Sequence, residues 1–340
     1  MRKGFNTIKY LQIQKREILK RVKKFDRLYL EVGGHLFYDG HASRVLPGYN
    51  PKTKVELLQT LSKKLGKFDI IYCISSQDLA SKKHLNDSKI NYKKQTFLDL
   101  SLLEKAKLNI ESVVITRYKT KYSQEVRDFK KVLESMGKRV YIHNEITNYS
   151  KSPKYAVRGY ALDDYVRVYS KLVVVTGVAG GSGKMATVMS QIYHDVKNKL
   201  NSGYAKLETF PIWNLPLNHP INLAYEAATA DLQDKNMIDC YHWEHYKKIA
   251  TNYNRDIENF SILMKIAQII TKKKNAFGYY SPTDMGMGNT KAGIINNRIC
   301  RLAAIKEIKR RMDFYLKEFK AGRESKKTID RMHEIMGEIE

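Results

Sequence analysis

The sequence predicts an α/β protein: mostly parallel sheets with flanking helices, a Rossmann-like N-terminal unit, a P-loop-like second unit and a helical C-terminal tail. Three observations carry this. Short apolar runs alternate with longer segments of helical periodicity, the pattern of strands buried on both faces by crossover helices. One such run, Leu172–Val175, opens into a glycine-rich stretch, TGVAGGSGK at 176–184. From Asn297 onward only the helical pattern remains.

The elements follow in order. Tyr10–Lys24 carries Ile13, Ile18 and Val22 among basic residues and reads as an amphipathic helix. Leu28–Val32 is a buried strand that meets Gly33-Gly34 at its end. Val55–Leu65 is a helix, Asp69–Ile74 a strand, Ser112–Thr116 a strand, Ser123–Met136 a helix closed by Gly137, and Arg139–His143 a strand. Asn144–Ala161 is polar and turn-rich and reads as a linker. The expected units are therefore residues 1–150 (Rossmann-like), 151–295 (P-loop-like) and 296–340 (C-terminal helices). In the last, Leu302, Ile305, Ile308, Met312, Tyr315, Leu316 and Phe319 form one stripe, broken at Gly322 and resumed over Lys326–Ile339.

Composition narrows the class. With 340 residues, 43% of them hydrophobic, the chain can bury a large core, and no apolar run approaches the roughly 18 residues of a membrane span. Cys73, Cys240 and Cys300 are far apart with no C-x-x-C, which argues against a disulfide framework or zinc site and for a reducing compartment. The expected location is the cytoplasm. Lys and Arg number 61 against 35 Asp and Glu, a net charge of +26. The basic residues are spread along helix faces with local runs at Lys15–Lys24, Lys272–Lys274 and Lys306–Arg311, without a nucleic-acid-binding motif. Charge of this kind draws in phosphorylated ligands more readily than it specifies a nucleic acid.

The glycine-rich stretch has the parts of a phosphate cradle. Gly180, Gly181, Ser182 and Gly183 let backbone N–H groups approach an anion, the following helix N-terminus carries partial positive charge, and Lys184 adds a point charge. The nucleotide pattern G-x-x-x-x-G-K-[ST] is matched incompletely, with Val178 and Met185 at the first Gly and last hydroxyl positions. Thr187 is the nearest downstream hydroxyl. The stretch reads as a site for a nucleotide, for another phosphate or carboxylate, or as a structural turn.

Two further segments hold chemistry-bearing residues. Glu208–Asp239 contains Glu208, Asn214, His219, Asn222, Glu226, Asp231, Asp234 and Asp239, with prolines 211, 216 and 220 and a helix from Leu223. A carboxylate there could hold a metal through water or orient a nucleophile beside the phosphates. Glu31–Pro47 places Gly33 and Gly34 at a strand's C-terminal end, where open α/β sheets bind ligands, followed by His35, Asp39, His41, Ser43 and Arg44. Arg44 can fork an anion and His41 can act as acid or base. Tyr279–Asn289, with Thr283 and Asp284 beside glycines, reads as another ordered loop or a turn.

The segments LYLEVGGHLFYDGHASRVLPGYNP, GSGKMAT, ETFPIWNLPLNHPINLAYEAATADLQDKNMID, NYNRDIE and SPTDMG resemble domain-of-unknown-function family 1846, a bacterial family, along nearly the whole chain. The resemblance implies a longer protein with a further C-terminal α/β region, and prolines where this loop has Val178, Ala179 and Gly180. Some members carry an ATP-dependent peptidase label. Neither an H-E-x-x-H nor a G-x-S-x-G motif supports it here.

The resulting expectation is a P-loop-like protein using ATP or a similar nucleotide, with Mg2+, for phosphoryl transfer to a small substrate. Gly180, Gly181, Ser182, Gly183, Lys184 and Thr187 would bind the cofactor. Asp231 would serve metal or base, with Glu226 and His41 as further catalytic candidates. Gly33, Gly34, Arg44, Asn214 and His219 would hold a small phosphorylated or carboxylate substrate. A non-catalytic phosphate-binding module and a basic nucleic-acid-binding protein are the alternatives. A homo-oligomer stays open as a partner; no membrane is expected.

Overall fold

A computed structural model describes residues 3–81, 84–85, 89–108, 110–147 and 152–339. Its elements are α1 (Thr7–Val22), β1 (Arg27–Val32), α2 (Gly40–Val45), α3 (Thr53–Leu65), β2 (Asp69–Ser75), α4 (Ser76–Ala80), α5 (Tyr92–Lys105), β3 (Ser112–Tyr118), α6 (Ser123–Ser135), β4 (Arg139–Asn144) and α7 (Pro153–Leu162). They continue with β5 (Leu172–Gly177), α8 (Lys184–Lys197), β6 (Ser202–Leu207), α9 (Pro220–Ala228), β7 (Asn236–Ile238), α10 (Cys240–Tyr246), β8 (Thr251–Tyr253), α11 (Asn254–Thr271), α12 (Pro282–Met285), α13 (Asn297–Lys320) and α14 (Lys326–Gly337). The strands read from the sequence are all present. Part of the expected linker is instead helix α7, whose buried Ala156 and Tyr160 form a stripe too short to stand out among polar neighbours.

The α/β class holds, as one six-stranded sheet in the order β4-β3-β2-β5-β1-β6 with every pairing parallel. Residues 1–150 and 151–295 do not divide this sheet. β5 lies between β1 and β2, with Leu28 opposite Leu172 and Ile71 opposite Val175. The boundary at 150/151 itself lies outside the described residues. Sequence order gives the elements but not their neighbours, because a crossover can skip a place that a later strand fills.

Side-chain alternation along the strands feeds two apolar layers. Leu28, Leu30, Ile70, Ile74, Val113, Leu172 and Val174 pack against Ile18, Leu57, Leu61, Leu100 and Phe129 of α1, α3, α5 and α6. Tyr29, Ile71, Cys73, Val114, Val173 and Val175 pack against Tyr160, Val188, Ile192, Phe260 and Leu263 of α7, α8 and α11. A third cluster joins α2, α9, α13 and α14 through Val45, Ile221, Ala224, Ala304, Ile308 and Met332. The C-terminal helices are thus built into the body beside the sheet. Among the described residues no helix is long and apolar enough to cross a membrane.

Burial sets the thiol chemistry. It pushes the Cys73 thiol up to about 12 and the Cys300 thiol up to about 11, whereas Cys240 is exposed. A disulfide-exchange reagent is expected to titrate a single thiol, Cys240, in the folded chain and all three cysteines in denaturant. Rapid labelling of a second native thiol would contradict this packing.

Candidate functional site

The C-terminal ends of β1, β3, β4, β5 and β6 open onto one cleft of about 890 Å³. β5 leads into its floor. After Gly177 the chain turns through Gly180, Gly181 and Ser182 to Gly183, which caps α8 in the left-handed conformation at φ 80°. Thr116 at the end of β3 donates its hydroxyl to Ser182 O at 2.8 Å and pins the turn. The Lys184 ammonium donates to Ala179 O at 3.1 Å and to Ser182 Oγ at 3.4 Å. It is buried and makes no ion pair among the described residues. Burial lowers its pKa, while the Glu31 carboxylate acts the other way. Thr187 lies fully buried under the turn, its hydroxyl 3.6 Å from Cys73 Sγ.

On the β1 side, Lys54 donates to Gly33 O at 2.7 Å and pairs with Asp39 at 2.8 Å. Asp39 in turn caps α2 by accepting from Ala42 N. Burial works against its charge, but Lys54 holds its carboxyl below the usual range.

On the β6 side, Lys206 reaches Asp256 Oδ2 at 2.6 Å and Glu208 Oε1 at 2.8 Å, and donates to Tyr253 Oη. Tyr253 Oη donates to Glu208 Oε1 at 3.0 Å, and Tyr204 Oη to Glu31 Oε2 at 2.7 Å. Despite burial, the carboxylates of Asp256 and Glu208 raise the Lys206 pKa well above its ordinary value, so this lysine is a fixed cation and not a nucleophile. Burial raises the Glu208 carboxyl against the pull of Lys206. Arg255 forks Asp234 with contacts of 2.5 and 2.8 Å.

The cleft brings together Gly33, Gly34, His41, Gly180, Gly181, Ser182, Gly183, Lys184, Thr187 and Asp231 of the expected site residues. Asp231 accepts from Tyr315 Oη at 3.1 Å. Four others do not line it. Glu226 is buried against Arg331 and accepts from Asn236 N at 2.8 Å, tying α9 to α14 and β7. Arg44 is turned onto Glu307 at 2.7 Å. His219 caps α9 and meets Asn297 at 3.1 Å. The Asn214 carbonyl accepts from Lys291 at 2.8 Å. The Glu226, Arg44 and His219 side chains are thus occupied by structural partners that the sequence does not reveal, whereas the Asn214 side-chain oxygen is buried without a hydrogen-bond partner among the described residues.

Sequence reasoning missed Lys54, Thr116, Lys206, Tyr253, Arg255, Asp256 and Arg311, all of which line the cleft. One signal was available: Tyr204, Lys206 and Glu208 recur with period two, which places them on one face of an extended segment.

A family model described as "Domain of unknown function DUF1846, N-terminal" matches residues 3–340. The chain belongs to the DUF1846 family. Similar proteins include a "UPF0371 protein" of Clostridium tetani, 43% identical over 344 residues, and one of Clostridium botulinum strain Kyoto, 42% identical over 341 residues. Each alignment covers all of this chain and 66% of the relative. A "UPF0371 protein" of Clostridium botulinum strain Alaska E43 is 41% identical over 345 residues, with 67% of its length covered. This DUF1846 chain thus spans about two thirds of the length of the curated relatives it matches.

Proposed function

We propose that the cleft binds a phosphate-bearing small molecule, ATP or a related nucleotide first among them, with its phosphates on residues 180–184. The Lys184 ammonium carries this reading. Among the described residues it is a buried cation held only by a carbonyl and a hydroxyl, in a glycine turn at the N-terminus of the 14-residue helix α8. A buried cation costs free energy unless it is paired, and an anionic ligand supplies the pair. The helix N-terminus adds partial positive charge at the same place.

Phosphoryl transfer to a small acceptor is the chemistry such a cleft suits, since positioning and charge stabilisation provide most of the acceleration in that reaction. Lys206 would stabilise negative charge, and the Glu208 carboxyl would handle a proton. Among the described residues no three His, Cys, Asp or Glu are arranged to hold a metal ion. Magnesium would then be held by the ligand's own phosphates and at most a carboxylate or two, with Asp231 the candidate.

Calorimetric titration with ATP and with sodium tripolyphosphate, with and without magnesium, tests the reading. Lys184→Ala is expected to weaken both by about 10- to 100-fold, the value of charge-assisted hydrogen bonds to phosphate. Failure of the wild-type chain to bind either compound would sink it, as would binding indifferent to Lys184→Ala. Binding of nucleic acid that falls steeply with salt and ignores Lys184 would move the assignment to a nucleic-acid protein.

A further inference from the structure

The wall of the cleft that continues from β6 is aromatic. Phe210 and Tyr225 lie nearly parallel, 19° apart in plane with ring centroids 6.2 Å apart, and Tyr253 follows at 5.9 Å from Tyr225. At the other end the His41 imidazole stands edge-on to Phe210, centroids 5.0 Å apart. All four residues line the cleft.

His41 is held in a particular way. Its Nδ1 lies 3.3 Å from Glu307 Oε1. Glu307 is also contacted by Arg44 at 2.7 Å, Arg310 at 2.7 Å and Arg311 at 3.0 Å. Burial opposes its ionisation, but the hydrogen bonds from Arg310, His41 and Arg44 hold its carboxyl far below the usual range. An ionised carboxylate only accepts, so Nδ1 must carry the proton. The neutral imidazole then presents a lone pair at Nε2. That nitrogen is buried without a hydrogen-bond partner among the described residues, in a side chain that lines the cleft. A buried acceptor left unmatched is costly, and such groups mark places a ligand completes.

We infer that the wall of His41, Phe210 and Tyr225 is a subsite for a hydroxylated ring carried by the phosphorylated ligand, with His41 Nε2 accepting a hydrogen bond from a ring hydroxyl. This rests on the phosphate reading of the loop. The chemical class follows from the surroundings. A flat or puckered ring packs on the aromatic faces. The donor to Nε2 is neutral, because three guanidinium groups already surround the one carboxylate and repel an ammonium. A hydroxylated ring on a phosphate is common to nucleotides and sugar phosphates, and the two are separated by experiment. Glu307 acts as a positioning residue that fixes the tautomer.

The test uses the full chain and three probes, AMP, glucose 6-phosphate and inorganic phosphate, titrated calorimetrically. At least one ring-bearing probe is expected to bind tenfold or more tighter than inorganic phosphate, and which one identifies the ring. His41→Asn keeps a donor for Glu307 and removes Nε2. It is expected to cancel about tenfold of that advantage and leave inorganic phosphate within twofold. In the wild type, long-range nitrogen–proton NMR should show a protonated Nδ1 and a bare Nε2, and the Nε2 resonance should move when the ring-bearing probe is added. This readout holds even if the variant does not fold. Lys184-dependent binding with no ring advantage, an advantage that survives His41→Asn, or an unmoved Nε2 overturns the inference alone. Absence of binding by all three probes, or binding indifferent to Lys184→Ala, overturns the phosphate reading and this inference with it.

Discussion

Glu307→Gln is expected to lower the unfolding free energy by about 3–5 kcal/mol, the cost of removing one partner from a buried ionic cluster. The shape of the side chain is retained while the charge that Arg44, Arg310, Arg311 and His41 share is lost. The arginines are not equivalent. The side chains of Arg44 and Arg310 are 30% and 38% exposed and can turn to water, but Arg311 is 6% exposed and cannot. Arg311 is carried on α13 at the edge of the cleft. Urea unfolding at neutral pH measures it, and a loss below about 1 kcal/mol would show that water already screens the cluster. The same carboxylate predicts a pH dependence. Its folded pKa is depressed, so its contribution is complete above the unfolded value of about 4.3 and is lost as pH falls below that value. The wild-type melting temperature should drop between about pH 5 and 3 more steeply than that of Glu307→Gln.

Gly183→Ala is expected to cost about 2–6 kcal/mol and to remove phosphate binding. Two effects combine at this residue. Its φ of 80° strains any L side chain, at about 1–3 kcal/mol, and a Cβ there would lie 2.5 Å from Thr116 Oγ1 and 2.6 Å from Thr116 Cβ, an overpacking of about 1–3 kcal/mol. Gly181 is the internal comparison. Its φ is 77°, and a Cβ there meets nothing within 4 Å, so Gly181→Ala should show the backbone strain alone. Thermal unfolding of the two variants separates the terms. Equal losses would mean that the approach of the turn to β3 contributes nothing.

What could be read from the sequence was whatever is local. The strand at Leu172, the glycine turn and Lys184 are neighbours along the chain, and their periodicity and residue types give strand, turn and helix directly. Gly33 and Gly34 followed from one rule, that a parallel sheet offers its C-terminal edge to ligands. What could not be read depends on which distant elements meet. Arg44 and Glu226 looked available because their partners, Glu307 and Arg331, lie in helices far along the chain. Lys206 was not singled out, because its partners Tyr253 and Asp256 come from β8 and α11. Of the C-terminal stripe, Ile308, Met312, Tyr315 and Leu316 pack into the body while Leu302 and Phe319 are exposed, and the same helix α13 also delivers Arg311 to the edge of the site.

The place of β5 between β1 and β2 has a consequence for how the chain is made. As synthesis proceeds from the N-terminus, β1 and β2 emerge early and cannot pair, because the strand that joins them arrives only after β3, β4 and α7. Until then two apolar strand edges stay open, a hazard for wrong pairing and aggregation. A nascent chain stalled before Leu172 should remain protease-sensitive and chaperone-bound, and should gain resistance only after β5 and α8 clear the ribosome. The segment that cradles the anion would thus also be the keystone whose arrival closes the sheet.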